Sequence, residues 1–150
     1  MLQWLNDYEM VDKMSDLIIT IGESDFKARF ESEKSPDTCR AFKSALPFVS
    51  KIIHVRWSGE AVWIPLGDLQ FGVGYEDAIS YPAPGQIILF PGGISETEIL
   101  IAYGPTCFAS KAGQLAGNHF LTIEDNLDVL AELGRGTLWS GAKDIQFVAP

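Results

Sequence analysis

The stretch Ser50 to Pro65, SKIIHVRWSGEAVWIP, decides the fold class. Two runs rich in β-branched and aromatic residues, Lys51 to Trp57 and Glu60 to Pro65, flank Ser58-Gly59, which has the composition of a two-residue hairpin turn. With that turn, Trp57 faces Glu60, Val55 faces Val62, and Ile53 faces Ile64. Side chains alternate across a strand, so these residues share one face. All but Glu60 are apolar, which assigns that face to the interior of a closed sheet with Glu60 at its rim. The opposite face then carries His54 opposite Trp63 and Arg56 opposite Ala61.

The flanking sequence extends the same pattern. Leu17 to Ile21 is a β-branched strand, Gly22 to Asp25 reads as a four-residue connection, and Phe26, Ala28 and Phe30 alternate with charged residues. Ser35 as cap and Pro36 at the first helical position open a helix running to Leu46, where Pro47 stops it. Further strands are predicted at Ala78 to Tyr81, Gln86 to Phe90, Glu96 to Tyr103, Gln114 to Ile123 and Ile145 to Val148. A second short helix is predicted at Asn126 to Leu133, closed by Gly134. The expected architecture is mainly β: a closed eight-stranded barrel with two short capping helices, since closure leaves no exposed sheet edge. It occupies one domain, 15–150, preceded by an N-terminal extension, 1–14.

Composition narrows the function classes. The 150 residues are 47% hydrophobic and 21% charged, an ordinary globular balance. No apolar run reaches the roughly 20 residues that span a bilayer. The acidic start, with Asp7, Glu9, Asp12 and Asp16, is the reverse of a secretory signal, so a cytoplasmic protein is expected. A formal charge of −9 argues against a nucleic-acid partner, which needs concentrated Lys and Arg. Cys39 and Cys107 fit two reduced thiols, and no cysteine or histidine spacing suggests a metal. Gly72-Val-Gly74 and Pro91-Gly-Gly93 lack the context of a phosphate loop and read as turns, so no cofactor is expected.

Three ordered blocks carry a family resemblance: Ser50 to Pro65, YPAPGQIILFPGG from Tyr81 to Gly93, and AYGPTCFASKAGQLAGNHFLTI from Ala102 to Ile123. Together they resemble a bacterial family of uncharacterised proteins whose fold is similar to that of cyclophilins. The resemblance implies a cyclophilin-like barrel and no settled activity. A related barrel occurs in allophanate-hydrolase and oxoprolinase subunits, which handle small cyclic amides and ureido compounds. Prolyl isomerases of the cyclophilin family carry an Arg ahead of a Phe-x-x-Gln-Gly-Gly-Asp-Phe stretch. That stretch has no match here, so isomerase activity does not come with the fold.

The candidate ligand-binding residues are Arg56, Trp63, Glu60, His54 and Asn118. Arg56 offers a planar fork to a carboxylate or carbonyl, with Trp63 as an apolar wall. Its structural alternative is a guanidinium lying over an indole. Glu60 at an apolar rim, His54 as an acid or base, and Asn118 as an amide contact complete the set. Ser110-Lys111 is a reserve. His119, sharing its predicted face with Leu115, Leu121 and Ile123, reads as a satisfied core histidine. Glu96 and Glu98 share a strand face, a spacing that fits an acid–base pair or a metal, although no third oxygen ligand stands at suitable spacing and strand edges often carry such charges. The leading expectation is a small-molecule-binding barrel. A peptidyl-prolyl isomerase or peptide-binding module, and a structural subunit, are the alternatives. Catalysis and homo-oligomerisation are left open.

Overall fold

The computed structural model describes residues 16–150, so the expected extension 1–14 lies outside the described residues. Eleven strands and two helices follow one another along this stretch. The strands are β1 (Leu17–Ile21), β2 (Ser24–Phe30), β3 (Phe48–His54), β4 (Gly59–Gly67), β5 (Ala78–Ile79), β6 (Gln86–Phe90), β7 (Thr97–Thr106), β8 (Ala109–Ser110), β9 (Gly113–Gln114), β10 (Gly117–Ile123) and β11 (Lys143–Val148). Helix α1 spans Pro36–Ser44 and α2 spans Leu127–Ser140.

The sheet runs β2-β1-β11-β3-β4-β7-β6-β10, and β10 pairs back onto β2. Every paired neighbour is antiparallel, so eight strands close into a barrel, as the alternation predicts. Strand β5 adds a short rung to β10, and β8-β9 form a separate small hairpin. Inward residues of all eight strands fill the barrel, among them Ile19, Phe26, Ile52, Val62, Ile87, Ile101, Leu121 and Phe147. Helix α1 seats Phe42 against Phe48, Phe120 and Phe147, with ring centroids 5.1–5.2 Å apart. Helix α2 seats Leu130 in the same core and packs Gly134 on Tyr103. Phe48 opens β3 and His54, bonded to Tyr103, ends it. The helices therefore cover opposite ends of the barrel.

Turn lengths differ from the sequence expectation in a compensating way. Ile21 pairs with Ser24, so the first hairpin turns on Gly22-Glu23 alone, with Gly22 at φ 59°. The β3–β4 connection takes the longer form instead. Ile53 pairs with Trp63 and His54 with Val62, leaving Val55 to Ser58 as the loop. This slips β3 by one residue and inverts its faces. Ile52 is 1% exposed and points inward, whereas Ile53 is 37% and Trp57 56% exposed. The expected interior row Ile53, Val55 and Trp57 thus lies outside, and His54 moves inward. On β4 the expected alternation stands, with Val62 and Ile64 inside and Trp63 and Ala61 in the outer cluster.

Both helix ends also depart from expectation. Ser35 makes no capping bond. Glu76 caps α1 instead, accepting from the amides of Asp37 (2.8 Å) and Thr38 (2.9 Å) and from the Thr38 hydroxyl (2.6 Å). Gly134 does not close α2, which continues to Ser140. The glycine is there for space: a Cβ at Gly134 would lie 2.3 Å from the Tyr103 ring.

Candidate ligand-binding site

The outer face of β4-β7-β6 carries a second apolar cluster of Ala61, Ile88, Phe90, Leu100, Phe108 and Leu115. The segment from Cys107 to Leu115 folds back over this wall. Phe108 donates its amide to the Ser80 carbonyl (2.7 Å), and Ser80 donates its hydroxyl to the Leu115 carbonyl (2.7 Å). Ser58, in the β3–β4 loop, clamps the small hairpin from the other side. Its hydroxyl donates to the Ala109 carbonyl (3.1 Å) and accepts from the Ala109 amide (3.0 Å). The β3–β4 loop, the β8–β9 hairpin and the Ser95-Glu96 segment therefore stand around a section of bare wall.

They enclose a pocket of about 360 Å³. Its wall is Ile53, Val55 and Trp63, its mouth carries Arg56, Trp57 and Lys111, and Glu98 lies within it. The one-residue slip of β3 is what turns Ile53 and Val55 toward this space. Glu98 is the distinctive group. It is 6% exposed, its cross-strand neighbours are Pro65 and Phe90, and none of the ion pairs among the described residues involves it. Burial pushes its carboxyl up to about 8, with the nearby Glu96 carboxylate acting in the same direction. At neutral pH the pocket thus contains a carboxylic acid with a proton to donate.

Of the residues singled out from the sequence, Arg56, Trp63 and His54 line this pocket. His54 has little to offer a ligand. Its Nε2 meets the Tyr103 hydroxyl at 2.8 Å and its Nδ1 meets the Val55 carbonyl at 2.8 Å. Nδ1 therefore carries the proton, Nε2 accepts from the phenol, and both ring nitrogens are engaged. Glu60 is not brought to the pocket: it packs over Gly104, and after burial it is the next cause that holds the Tyr103 hydroxyl above the usual phenol range. Asn118 is wholly buried. Its amide oxygen accepts from the Glu76 amide (2.9 Å), and its nitrogen donates to Thr38 Oγ1 (3.1 Å) and the Gly74 carbonyl (2.8 Å). Those bonds hold the segment before β5 to the barrel and leave no amide group for a ligand. Glu98 belongs to the candidate pair Glu96 and Glu98, and its burial between Pro65 and Phe90 sets it apart from a solvated edge charge. That distinction depends on which strands flank β7.

A second polar constellation arises from a bulge. The β10 register shifts between His119 and Leu121, so Phe120 and Leu121 both enter the core. His119 and Thr122 are left together outside, contrary to the face shared with Leu121 that simple alternation predicts. Thr122 donates to Glu31 Oε2 (2.5 Å) and so accepts from His119 Nε2 (2.8 Å). Burial lowers the affinity of His119 for a second proton, and Glu31 opposes this. The ring borders an open cleft that also includes Lys34, Asp77, Tyr81 and Gln114. Among the described residues no cluster of acidic, histidine and cysteine side chains could hold a metal ion, and no helix is long and apolar enough to cross a membrane.

Fold and site together define a closed eight-stranded β-barrel with a walled pocket on its outer surface. The chain belongs to the DUF3830 family of proteins of unknown function, whose profile matches residues 17–149. No curated protein matches it. Among solved structures, that of McbB in complex with tryptophan is similar, with a TM-score of 0.69 over 89% of this chain at 16% identity. This chain spans 44% of the McbB chain, and at that identity the likeness concerns the fold.

Proposed function

We propose that the protein binds a small molecule of amide, ureido or carboxylate type in the outer-wall pocket, within bacterial cytoplasmic metabolism. The observation that carries the reading is Glu98, a buried acid without an ion-pair partner among the described residues, in a concavity walled by Trp63, Ile53 and Val55. Burying such a group costs stability, and a ligand that accepts its proton in a hydrogen bond recovers part of that cost. Arg56 and Lys111 at the mouth favour a ligand with a negative or carbonyl end. McbB, part of which has a similar fold, has been solved in complex with tryptophan, which is compatible with a small ligand here. On this reading 15–150 is the binding unit, and a cyclophilin-like fold does not bring the chemistry of cyclophilins with it.

Thermal-shift screening with small amides, ureido compounds and carboxylates tests the proposal, since a ligand of the folded state raises its midpoint. Stabilisation by at least one class, lost in Trp63→Ala, is expected. A peptidyl-prolyl isomerase or peptide-binding module on the same wall is the second reading, favoured by exposed Trp57 beside the mouth. Cyclophilin-like turnover in a protease-coupled proline-peptide assay, abolished by Arg56→Ala, would establish it in place of the first.

A further inference from the structure

We infer that the ligand of the outer-wall pocket is a small monocarboxylate with a flat apolar body, held by a hydrogen bond from the Glu98 carboxylic acid. The inference rests on the binding role proposed for this pocket and narrows its ligand to one class. Glu98 projects from the outer face of β7 between apolar neighbours, and its O–H is the buried donor the pocket presents. A carboxylate is the best partner for such a donor, because O–H···O⁻ bonds are short and about twice as strong as neutral ones. An amide carbonyl accepts more weakly. A cationic head would sit beside Arg56 and Lys111 and would require Glu98 to ionise. The apolar body follows from Ile53, Val55 and the half-buried face of Trp63, and its small size from the 360 Å³ available.

The charged and titratable groups around Glu98 are few. Glu96 stands on the adjoining segment, Arg56 on the β3–β4 loop, Lys111 on the β8–β9 hairpin, and His54 is tied to Tyr103 and Val55. Glu96 disfavours the ionised form of Glu98, and burial does so more strongly, holding the acid form up to about pH 8. Binding of a carboxylate is therefore proton-coupled. Below this pH the proton is already in place. Above it, each bound ligand must bring a proton back, so affinity falls about tenfold per pH unit.

Isothermal titration of the full chain with benzoate and with benzamide, between pH 6 and 9.5, tests this. The expected result is that benzoate binds more tightly than benzamide below pH 7. Its Kd then rises toward tenfold per unit above pH 8, while that of benzamide, whose N–H groups can donate to the ionised Glu98, changes less than twofold. E98Q, which keeps an N–H donor but has no proton to lose, should bind benzoate with a flat pH profile. The wild-type profile decides the matter even if E98Q folds poorly. Benzamide binding without benzoate, or a flat wild-type benzoate profile across pH 8, overturns the carboxylate inference and leaves the pocket as a binding site. Heat from neither probe up to millimolar concentration overturns the binding role itself.

Discussion

Replacing Glu98 by Gln isolates the cost of keeping an acid in the barrel wall. The Glu98 carboxyl moves from an ordinary 4.5 up to about 8 in the folded chain, chiefly through burial beside Pro65 and Phe90. One unit of pKa corresponds to about 1.36 kcal/mol, so ionising the group in place costs on the order of 4–5 kcal/mol. The sign follows from which state loses its proton first. The unfolded chain ionises near 4.5 and the folded one near 8, so stability falls as pH rises between these values and levels off above them. E98Q stays neutral in both states and escapes this loss. The stability gap, variant minus wild type, should therefore widen by about 1.4 kcal/mol per pH unit from roughly pH 5 to 8, then become constant. Urea unfolding followed by tryptophan fluorescence at half-unit pH steps measures it. A gap that stays level from pH 5 to 9 would refute the buried acid, as would one that narrows as pH rises.

Other substitutions probe separate parts of the molecule. Arg56→Ala should weaken carboxylate binding about tenfold while changing unfolding free energy by less than about 0.5 kcal/mol, and Arg56→Lys should recover only part of the loss, in titration and urea melts run together. Gly134→Ala should cost about 1–3 kcal/mol or more, because its Cβ would meet the Tyr103 ring at 2.3 Å. Gly136→Ala, two positions along the same helix with nothing within 4 Å, should gain about 0.5–1 kcal/mol. Equal effects of the two changes in thermal denaturation would deny that α2 is seated on Tyr103. Thr122→Val should destabilise by about 1–3 kcal/mol and move the His119 ring resonances in NMR, since it takes a donor from Glu31 and an acceptor from His119. Unmoved resonances would contradict the hydrogen bonds from His119 through Thr122 to Glu31.

The barrel was legible because its cause is local. Alternation of Phe26, Ala28 and Phe30 with charged residues reports which face of β2 meets the core, β-branched and apolar runs such as Leu17–Ile21 and Gln86–Phe90 mark further strands, and closure follows from having eight of them. The reading failed where one residue more or less changes everything after it. Ser58-Gly59 has the composition of a tight turn, yet Ser58 is committed to Ala109, some fifty residues away, and the loop opens to Val55. Nothing between Ser50 and Pro65 records that partner. The bulge at Phe120 had a similar effect on His119. For the site, Trp63 was legible as an outward residue, whereas Arg56 reaches the pocket from the β3–β4 loop and not from the strand face read for it. Asn118 was not legible as structural, because its partners Thr38, Gly74 and Glu76 lie far away in sequence. Gly134 shows the same limit: a helix-ending residue by type, it is a contact residue by position.

Whether a ligand is held on the outer wall between Trp63 and Glu98 is tested most directly by a crystal structure of the protein grown near pH 6.5 with benzoate. The expected result is the aromatic ring against Trp63 and Ile53, with one carboxylate oxygen about 2.5–2.7 Å from a Glu98 oxygen, the distance of a bond that shares a proton. Benzoate seated instead in the open cleft beside His119 and Tyr81, with the outer-wall pocket filled only by water, would contradict it.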